Sequence, residues 1–190
     1  GYYTSTPPAR NFEPALEVYD PATNTWSTKA NMPTPRINPA AVAIDGKLYV
    51  VGGRNVPPTT HCSSGCQNYN TGLDVLEVYD PVTDTWSTKA NMPTGRHGLA
   101  AVPIFGLLYA VGGQNSQGLS KKLEVYDPVT DDWSTLDDMS TARRWLAAAA
   151  IDGKIYAAGG EISADDTETG QRPVADVDDR QPVNVLEMTL

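Results

Sequence analysis

The sequence predicts an all-β fold built from repeated four-stranded antiparallel units. A near-identical stretch begins at Leu16 and again at Leu76, and a looser third copy begins at Leu123. Within each copy the apolar residues alternate with a period of two, and no segment keeps a helical period. A unit that recurs along a chain is typical of a repeat architecture, in which each unit packs on its neighbours.

The repeated unit has a part of fixed length and a part of variable length. In every copy an arginine stands 16 positions before the first glycine of a Gly-Gly pair. These pairs are Arg36 and Gly52, Arg96 and Gly112, and Arg143 and Gly159. The distance from Gly-Gly to the next Leu-Glu varies instead, so we expect the variation to fall in one loop of each unit.

Each strand of the unit, named a to d in chain order, has its own signal. Strands a and b are apolar runs on either side of Ile-Asp-Gly-Lys, as in residues 40–51, and Asp-Gly between such runs predicts a hairpin. Strand c is Leu-Glu-Val-Tyr-Asp, rich in β-branched and aromatic residues, and strand d is Trp-Ser-Thr after a turn with Asp and Pro. The predicted divisions are a segment 1–15, a half unit 16–35 (strands c and d), a full unit 36–95 with a long b-c loop, a full unit 96–142, and a partial unit 143–190 with an acidic loop 161–185.

The unit resembles the kelch repeat. The resemblance is carried by the arginine, the apolar strand that ends in Gly-Gly, and a Tyr and a Trp with six residues between them, as in Tyr19 and Trp26. It covers nearly the whole chain apart from residues 1–15 and the long loops. It implies a β-propeller of four-stranded blades around a central channel, with strand a innermost and about three blades' worth of chain. It also implies that ligands are held on the face formed by the d-to-a turns and the b-to-c loops.

Comparison of the copies separates scaffold residues from candidate ligand residues. A residue that recurs at one register is predicted to serve the blade itself, as the three arginines do. The glutamate of each strand c falls in this class and is expected to pair internally: Glu17, Glu77, Glu124 and Glu187. Residues that differ between copies at matching positions are predicted to bind ligand: Arg54, Asn55, His97, Gln114, Asn115, Arg144 and Trp145.

Kelch adaptor proteins hold acidic peptide segments with Arg and Asn at such places, so the resemblance implies the same here. The alternative is that these are solvated loop residues, because surface loops are polar whether or not they bind.

The two long loops carry further candidate chemistry. The first contains His61, Cys62 and Cys66. We expect a disulfide between the two cysteines, with free thiols or a metal site that includes His61 as alternatives. A disulfide favours an extracellular or periplasmic setting, and the cytoplasm is the alternative. The last loop is strongly acidic and is expected to be solvated and mobile rather than to bind Ca²⁺.

Composition and motifs narrow the function classes. The net charge is −9, with no basic stripe for nucleic acid, and no apolar run approaches the length that spans a bilayer. There is no G-x-S-x-G motif and no phosphate-binding loop, and two histidines do not build a multi-histidine metal centre or support a copper radical oxidase. We therefore expect no cofactor and a non-catalytic module that binds protein or glycan. The alternatives are a structural building block, and a sugar mutarotase that uses Glu161 or His97 as acid or base.

The predicted array also presents open strand edges at both ends. It begins with strands c and d and closes with a, b and a c-like strand. Because three blades are fewer than propellers usually have, we expect the chain to associate with itself through these strands, with a head-to-tail dimer of six blades as the first hypothesis. A fragment of a longer propeller is the alternative, and neither accounts for the extra c-like strand.

Overall fold

The computed structural model describes residues 14–55 and 71–162 and the backbone of residues 186–189. The described ranges contain strands and turns and no helix. The strands are β1 (Leu16–Asp20), β2 (Thr25–Lys29), β3 (Ala40–Ile44), β4 (Lys47–Val51), β5 (Leu76–Asp80), β6 (Thr85–Lys89), β7 (Ala100–Ile104), β8 (Leu107–Val111), β9 (Gln114–Asn115), β10 (Gly118–Leu119), β11 (Leu123–Asp127), β12 (Asp132–Thr135), β13 (Arg143–Arg144), β14 (Ala147–Ile151), β15 (Lys154–Ala158), β16 (Glu161–Ile162) and β17 (Leu186–Thr189).

Two sheets are complete four-stranded blades. Their strand orders are β3-β4-β5-β6 and β7-β8-β11-β12, and every pairing is antiparallel. These strands follow the order a, b, c and d. The all-β, four-stranded antiparallel fold is therefore confirmed. At one end of the array β1 and β2 pair with each other as a c-d hairpin, and at the other β14, β15 and β17 form a three-stranded sheet.

The a-b turns form because their central residues tolerate a left-handed backbone. Asp45 and Gly46 have φ of 48° and 75°, the combination that a tight two-residue hairpin turn needs, and the last blade repeats it with the same residue pair. The middle blade places Phe105 at φ 49°, where a bulky residue is uncommon. The residue is 88% exposed, so this turn gains little burial in return for the backbone strain.

The core lies between adjacent blades. One buried cluster joins Val51 and Leu76 of the first complete blade to Leu108 and Tyr126 of the second. Another joins the second complete blade to Ile155 of β15. Each cluster draws on two sheets, which agrees with the expectation that a single meander buries its faces only by stacking on its neighbours.

The Gly-Gly pair allows the main chain of the next blade to come close. A Cβ on Gly52 would stand 2.5 Å from the carbonyl oxygen of Arg96, and the N–H of Gly53 donates to that same oxygen at 2.9 Å. The side chain of Leu99 lies beside this contact. The sequence left open whether backbone or an aromatic ring would approach these glycines, and the approaching group is backbone.

The 16-residue spacing reflects a hydrogen bond within each blade. The repeated arginine donates to the carbonyl oxygen of the first glycine: Arg36 to Gly52 at 3.1 Å, Arg96 to Gly112 at 2.7 Å, and Arg143 to Gly159 at 2.9 Å. A change in the spacing would break this contact, so the fixed length is a structural requirement.

Two of the repeated arginines also pair with the repeated glutamate of strand c, as predicted. Arg36 pairs with Glu77, and Arg96 pairs with Glu124 at 2.6 Å, all with buried side chains. Burial lowers the pKa of Arg96 while the charge of Glu124 opposes that fall. Removing one partner would leave an uncompensated buried charge, which is strongly destabilising.

Strand β17 takes a register that the repeat does not predict. In the first complete blade the leucine that opens strand c, Leu76, pairs with Val51, the residue directly before Gly-Gly. Leu186 pairs instead with Ala157, one residue further back. A shift of one residue exchanges the faces of a strand. Glu187 therefore does not occupy the register that the glutamates of the complete blades share, and the expected equivalence of this fourth glutamate is wrong.

Candidate functional site

The d-to-a turns and b-to-c loops of successive blades form one face, called here the loop face. Shortly before strand a of each blade, a residue pairs with the residue two positions after the first glycine of Gly-Gly. These pairs are Ile37 with Arg54, His97 with Gln114, and Arg144 with Glu161. The same geometry thus presents a different pair of side chains in each blade.

The turns are also bonded to one another across the blades. The N–H of Gly98 donates to the carbonyl oxygen of Asn38 at 2.9 Å, and the N–H of Trp145 donates to that of Gly98 at 2.7 Å. All three residues have φ between 52° and 63°. The three turns therefore form a continuous rim on which side chains from separate blades lie close together.

Trp145 is displayed on this rim. The residue is 52% exposed, and its ring lies over Gly98, where an added Cβ would be 2.9 Å from the indole. The guanidinium carbon of Arg144 is 3.9 Å from the ring centroid, a cation–π contact. Gly98 thus leaves room for the indole, and Arg144 helps to fix its orientation.

Arg144 joins two blades through its side chain. It donates to the side-chain oxygen of Gln114 in the preceding blade and to both carboxylate oxygens of Glu161, at 2.7 and 2.9 Å. Both bonds to Glu161 come from one guanidinium nitrogen, Nη2, so the pair is a charge-assisted contact between a single nitrogen and the two carboxylate oxygens. Since the Glu161 side chain is 48% exposed, this pair is accessible from solvent.

His97 lies beneath the rim with its ring nitrogens unsatisfied. The residue is 1% exposed, and neither nitrogen has a hydrogen-bond partner within the described ranges. Burial lowers the pKa of His97 to about 4, with the charges of Arg54 and Arg144 contributing. The imidazole is therefore neutral near pH 7, and the positive charge of the site comes from the two arginines.

The structure brings five of the predicted residues together with one further residue. We call this set the rim cluster: Arg54, His97, Gln114, Arg144, Glu161 and Trp145. Glu161 stands at the position of Arg54 and Gln114 in its own blade but is not among the predicted ligand residues. The ligand-binding role of the predicted residues stays a prediction.

Two predicted residues lie apart from the rim cluster. Asn115 lines a separate cleft of about 380 Å³ between the complete blades, with Asp74 and Thr94 among its neighbours. The side chain of Asn115 accepts a hydrogen bond from the N–H of Gln117 at 2.9 Å, which organises this loop. Asn55 directly follows Arg54 in the sequence and is exposed.

Other predictions fall on residues that are not described. His61, Cys62, Cys66 and most of the acidic loop lie outside the described ranges, so the disulfide and the compartment it favours stay predictions. Among the described residues no three His, Cys, Asp or Glu side chains are grouped to hold a metal ion. Those residues also contain no helix with the length and hydropathy of a bilayer span.

Four-stranded blades that present variable turns on a constant frame define a β-propeller scaffold. A family model described as "KLHDC2/KLHL20/DRC7 Kelch-repeats domain" matches residues 8–160, most of the sequence. The chain belongs to the kelch-repeat family, as the resemblance of its repeats indicated.

Individual relatives are similar over shorter stretches. Kelch-like ECH-associated protein 1B of Danio rerio is 34% identical over 100 residues, which are 53% of this chain and 16% of that protein. F-box/kelch-repeat protein At1g16250 of Arabidopsis thaliana is 40% identical over 75 residues, 40% of this chain and 17% of that protein. The matches thus span about a sixth of the length of these relatives.

A solved structure supports the fold. The structure titled "Structure of YjhT" is similar with a TM-score of 0.64 and 19% sequence identity, over 79% of this chain and 58% of the other. At this identity the similarity shows the fold alone.

Proposed function

We propose that this chain is a non-catalytic protein-binding module and that its rim cluster binds a carboxylate-bearing segment of a partner protein. The observation that carries this proposal is the ion pair of Arg144 and Glu161 on the exposed rim. The guanidinium of Arg144 thus already binds a carboxylate through charge-assisted hydrogen bonds, the type of contact that an Asp or Glu of a partner makes. Kelch-repeat proteins typically mediate protein interactions, which agrees with this class of function.

Binding by this site involves an exchange of carboxylates. A side chain from the partner takes the place of Glu161 on Arg144, and the charge of Arg54 adds to the attraction. The exposed indole of Trp145 offers apolar area to residues beside the ligand carboxylate. Because the contact is electrostatic and partly exposed, its affinity falls as salt rises.

The geometry favours binding over the sugar mutarotase. Glu161 is held by Arg144, and His97 is buried with a lowered pKa, so neither side chain is poised to exchange a proton with a sugar. Kinetics on simple aldoses would test this alternative. Binding of a glycan to Trp145 stays a prediction that the same binding assay can include.

Selection of peptides by the full chain tests the binding function. We expect a random peptide library displayed on phage to yield sequences with Asp or Glu, and Arg144→Ala to reduce their affinity at least tenfold, about 1.4 kcal/mol. The matched control is Lys47→Ala, because Lys47 lies beside an a-b turn, away from the loop face, and pairs with Asp80 on the surface. Enriched peptides without acidic residues, or equal losses in both variants, would refute the proposed site.

We also propose self-association through the terminal strands as a second function. One observation favours it specifically: Trp26 of the β1-β2 hairpin is 67% exposed, whereas Trp86 and Trp133 each bond to the preceding blade. The β1-β2 hairpin therefore has the form that docks on a preceding blade, but among the described residues no preceding blade packs against it. Native mass measured over a range of concentrations tests this function directly.

A further inference from the structure

We infer that a second copy of this chain supplies strands c and d of the last blade, so that Glu17 of one copy pairs with Arg143 of the other. In this arrangement β1 replaces β17 beside β15, and β2 becomes the outer strand. We call the result the composite blade. The inference rests on the proposed self-association and names the contacts that produce it.

The complete blades show how a c-d hairpin docks on the blade before it. The carboxylate of Asp84 accepts the N–H of Ala30 at 2.9 Å, and the indole N–H of Trp86 donates to the carbonyl oxygen of Ala30 at 2.8 Å. The next hairpin repeats both contacts, at the same two distances, with Asp131 and Trp133 on Ala90. Each hairpin therefore forms hydrogen bonds with both the N–H and the carbonyl oxygen of a single residue in the preceding blade.

The first hairpin has the same internal geometry but makes no such contact with any residue that the structure describes. The rings of Tyr19 and Trp26 are 5.3 Å apart and tilted by 44°, against 5.3 Å and 46° for Tyr79 and Trp86. The hydroxyl of Tyr19 donates to Asn24 at 2.7 Å, as that of Tyr79 does to Asp84 at 2.8 Å. The side-chain oxygen of Asn24 and the indole N–H of Trp26 are thus positioned to bond to the N–H and the carbonyl oxygen of a residue in another blade.

The other end of the array offers the matching main chain. Ala30 and Ala90 each stand four residues after the Trp of their own blade, and Asp137 stands four residues after Trp133. Asp137 is exposed at the end of β12. A hairpin that docks there lies beside β14 and β15, where the last blade needs its strands c and d.

Among the described residues, the arginine of the last blade has no carboxylate partner, unlike the arginines of the two complete blades. Arg143 is 6% exposed, its Nε is buried without a hydrogen-bond partner, and no carboxylate pairs with it within the described ranges. Arg36 pairs at the equivalent position with Glu77 of strand c. Glu17 holds that position in β1 and is exposed. Glu17 of one copy thus supplies the carboxylate that Arg143 of the other copy lacks among the described residues.

The sequence of β1 fits the edge of β15 better than β17 does. Strands β1 and β5 are both Leu-Glu-Val-Tyr-Asp, and β5 holds the position of strand c in a complete blade. Strand β17 holds the edge of β15 one residue out of that register. Copying the register of β5 would pair Val18 with Tyr156, as Val78 pairs with Tyr49. Two such contacts would close a ring of six blades.

Cross-linking between two differently labelled chains tests the composite blade. In a background of Cys62→Ser and Cys66→Ser, one full-length chain carries Val18→Cys and the other carries Tyr156→Cys. Directly opposed residues of an antiparallel pair have Cα atoms about 4.5–5.5 Å apart, which a disulfide can bridge. We expect a covalent dimer on a non-reducing gel when the two chains are mixed and mildly oxidised. The matched control replaces Val18→Cys with Tyr19→Cys, whose side chain points to the other face in this register.

The possible outcomes distinguish the composite blade from the proposed self-association on which it rests. A native mass of two chains, with cross-linking at 18 and 156 and little at 19 and 156, supports the composite blade. A native mass of two chains without that preference overturns the composite blade and leaves self-association standing. A monomer at every concentration tested overturns both.

Discussion

The adjacent arginines of the last blade, Arg143 and Arg144, have different partners and different roles. Arg143 is buried and donates to the carbonyl oxygen of Gly159, as the arginine does in every blade. Arg144 comes next in sequence, reaches the loop face and holds Glu161. Since neighbouring strand residues point to opposite sides, one residue step separates the scaffold from the candidate site.

The exchange of carboxylates on Arg144 predicts a gain of affinity. Glu161→Gln removes the internal competitor, so we expect acidic peptides to bind several-fold more tightly, by about 1 kcal/mol. Isothermal titration with a peptide from the selection would measure the change. Asp152→Asn is the matched control, because it removes one negative charge in an a-b turn where Asn accepts the left-handed backbone. An equal gain in the control would indicate a general charge effect instead.

His97 predicts that stability falls in mild acid. Its pKa is about 4 in the folded chain and about 6.5 in the unfolded chain, so the unfolded state binds the proton more readily between these values. The free energy of unfolding should therefore fall as the pH drops from about 6.5 to about 4, by up to about 3 kcal/mol. Urea unfolding of the wild type and of His97→Gln across this range would measure it, and parallel pH profiles in both proteins would contradict the assignment.

At the scale of elements, the c-d hairpin is the unit that joins blades. Its Trp donates an indole N–H across the interface, and its turn carboxylate accepts the N–H of the same residue. Hydrogen bonds to Asp84 from Ala30 and Tyr79 lower the pKa of that carboxyl. The hairpin therefore carries both a donor and an acceptor for its neighbour, and its contacts repeat from blade to blade.

The matched tryptophans give a test of this joint. Trp86→Phe keeps most of the ring area but removes the N–H that bonds to Ala30, so we expect a loss of about 1 kcal/mol in unfolding free energy. Trp26→Phe lacks that cost in a monomer, because Trp26 has no such partner among the described residues. Denaturation at low protein concentration compares the two. Equal losses would show that the indole contact does not hold the blades together.

Sequence patterns predicted those elements whose local chemistry decides their structure. Asp45 and Gly46 specify a tight turn, and the recurrence of Leu-Glu-Val-Tyr-Asp identifies strand c. The position of the Trp145 ring over Gly98 was not predictable, because it depends on contact between turns from different blades. The register of β17 was not predictable either, because 27 residues separate Ala158 of β15 from Leu186 of β17 and a connection of that length does not fix a register.

At the scale of the whole molecule, the blades divide the surface into two faces. The d-to-a turns and b-to-c loops form the loop face with its arginines, and the a-b and c-d turns lie at the opposite ends of the strands. Val82 and Val129 in the c-d turns and Phe105 in an a-b turn are largely exposed there. We assign ligand binding to the loop face and not to the turns at the opposite ends of the strands.

Hydrogen exchange of the full chain, with and without the most enriched acidic peptide, tests this assignment most directly. We expect the peptide to slow exchange in the rim segments 96–98, 113–115 and 143–145 and to leave the a-b turns at 45–46, 105–106 and 152–153 unchanged. Protection in the a-b turns, with the rim segments unaffected, would contradict the assignment of ligand binding to the loop face.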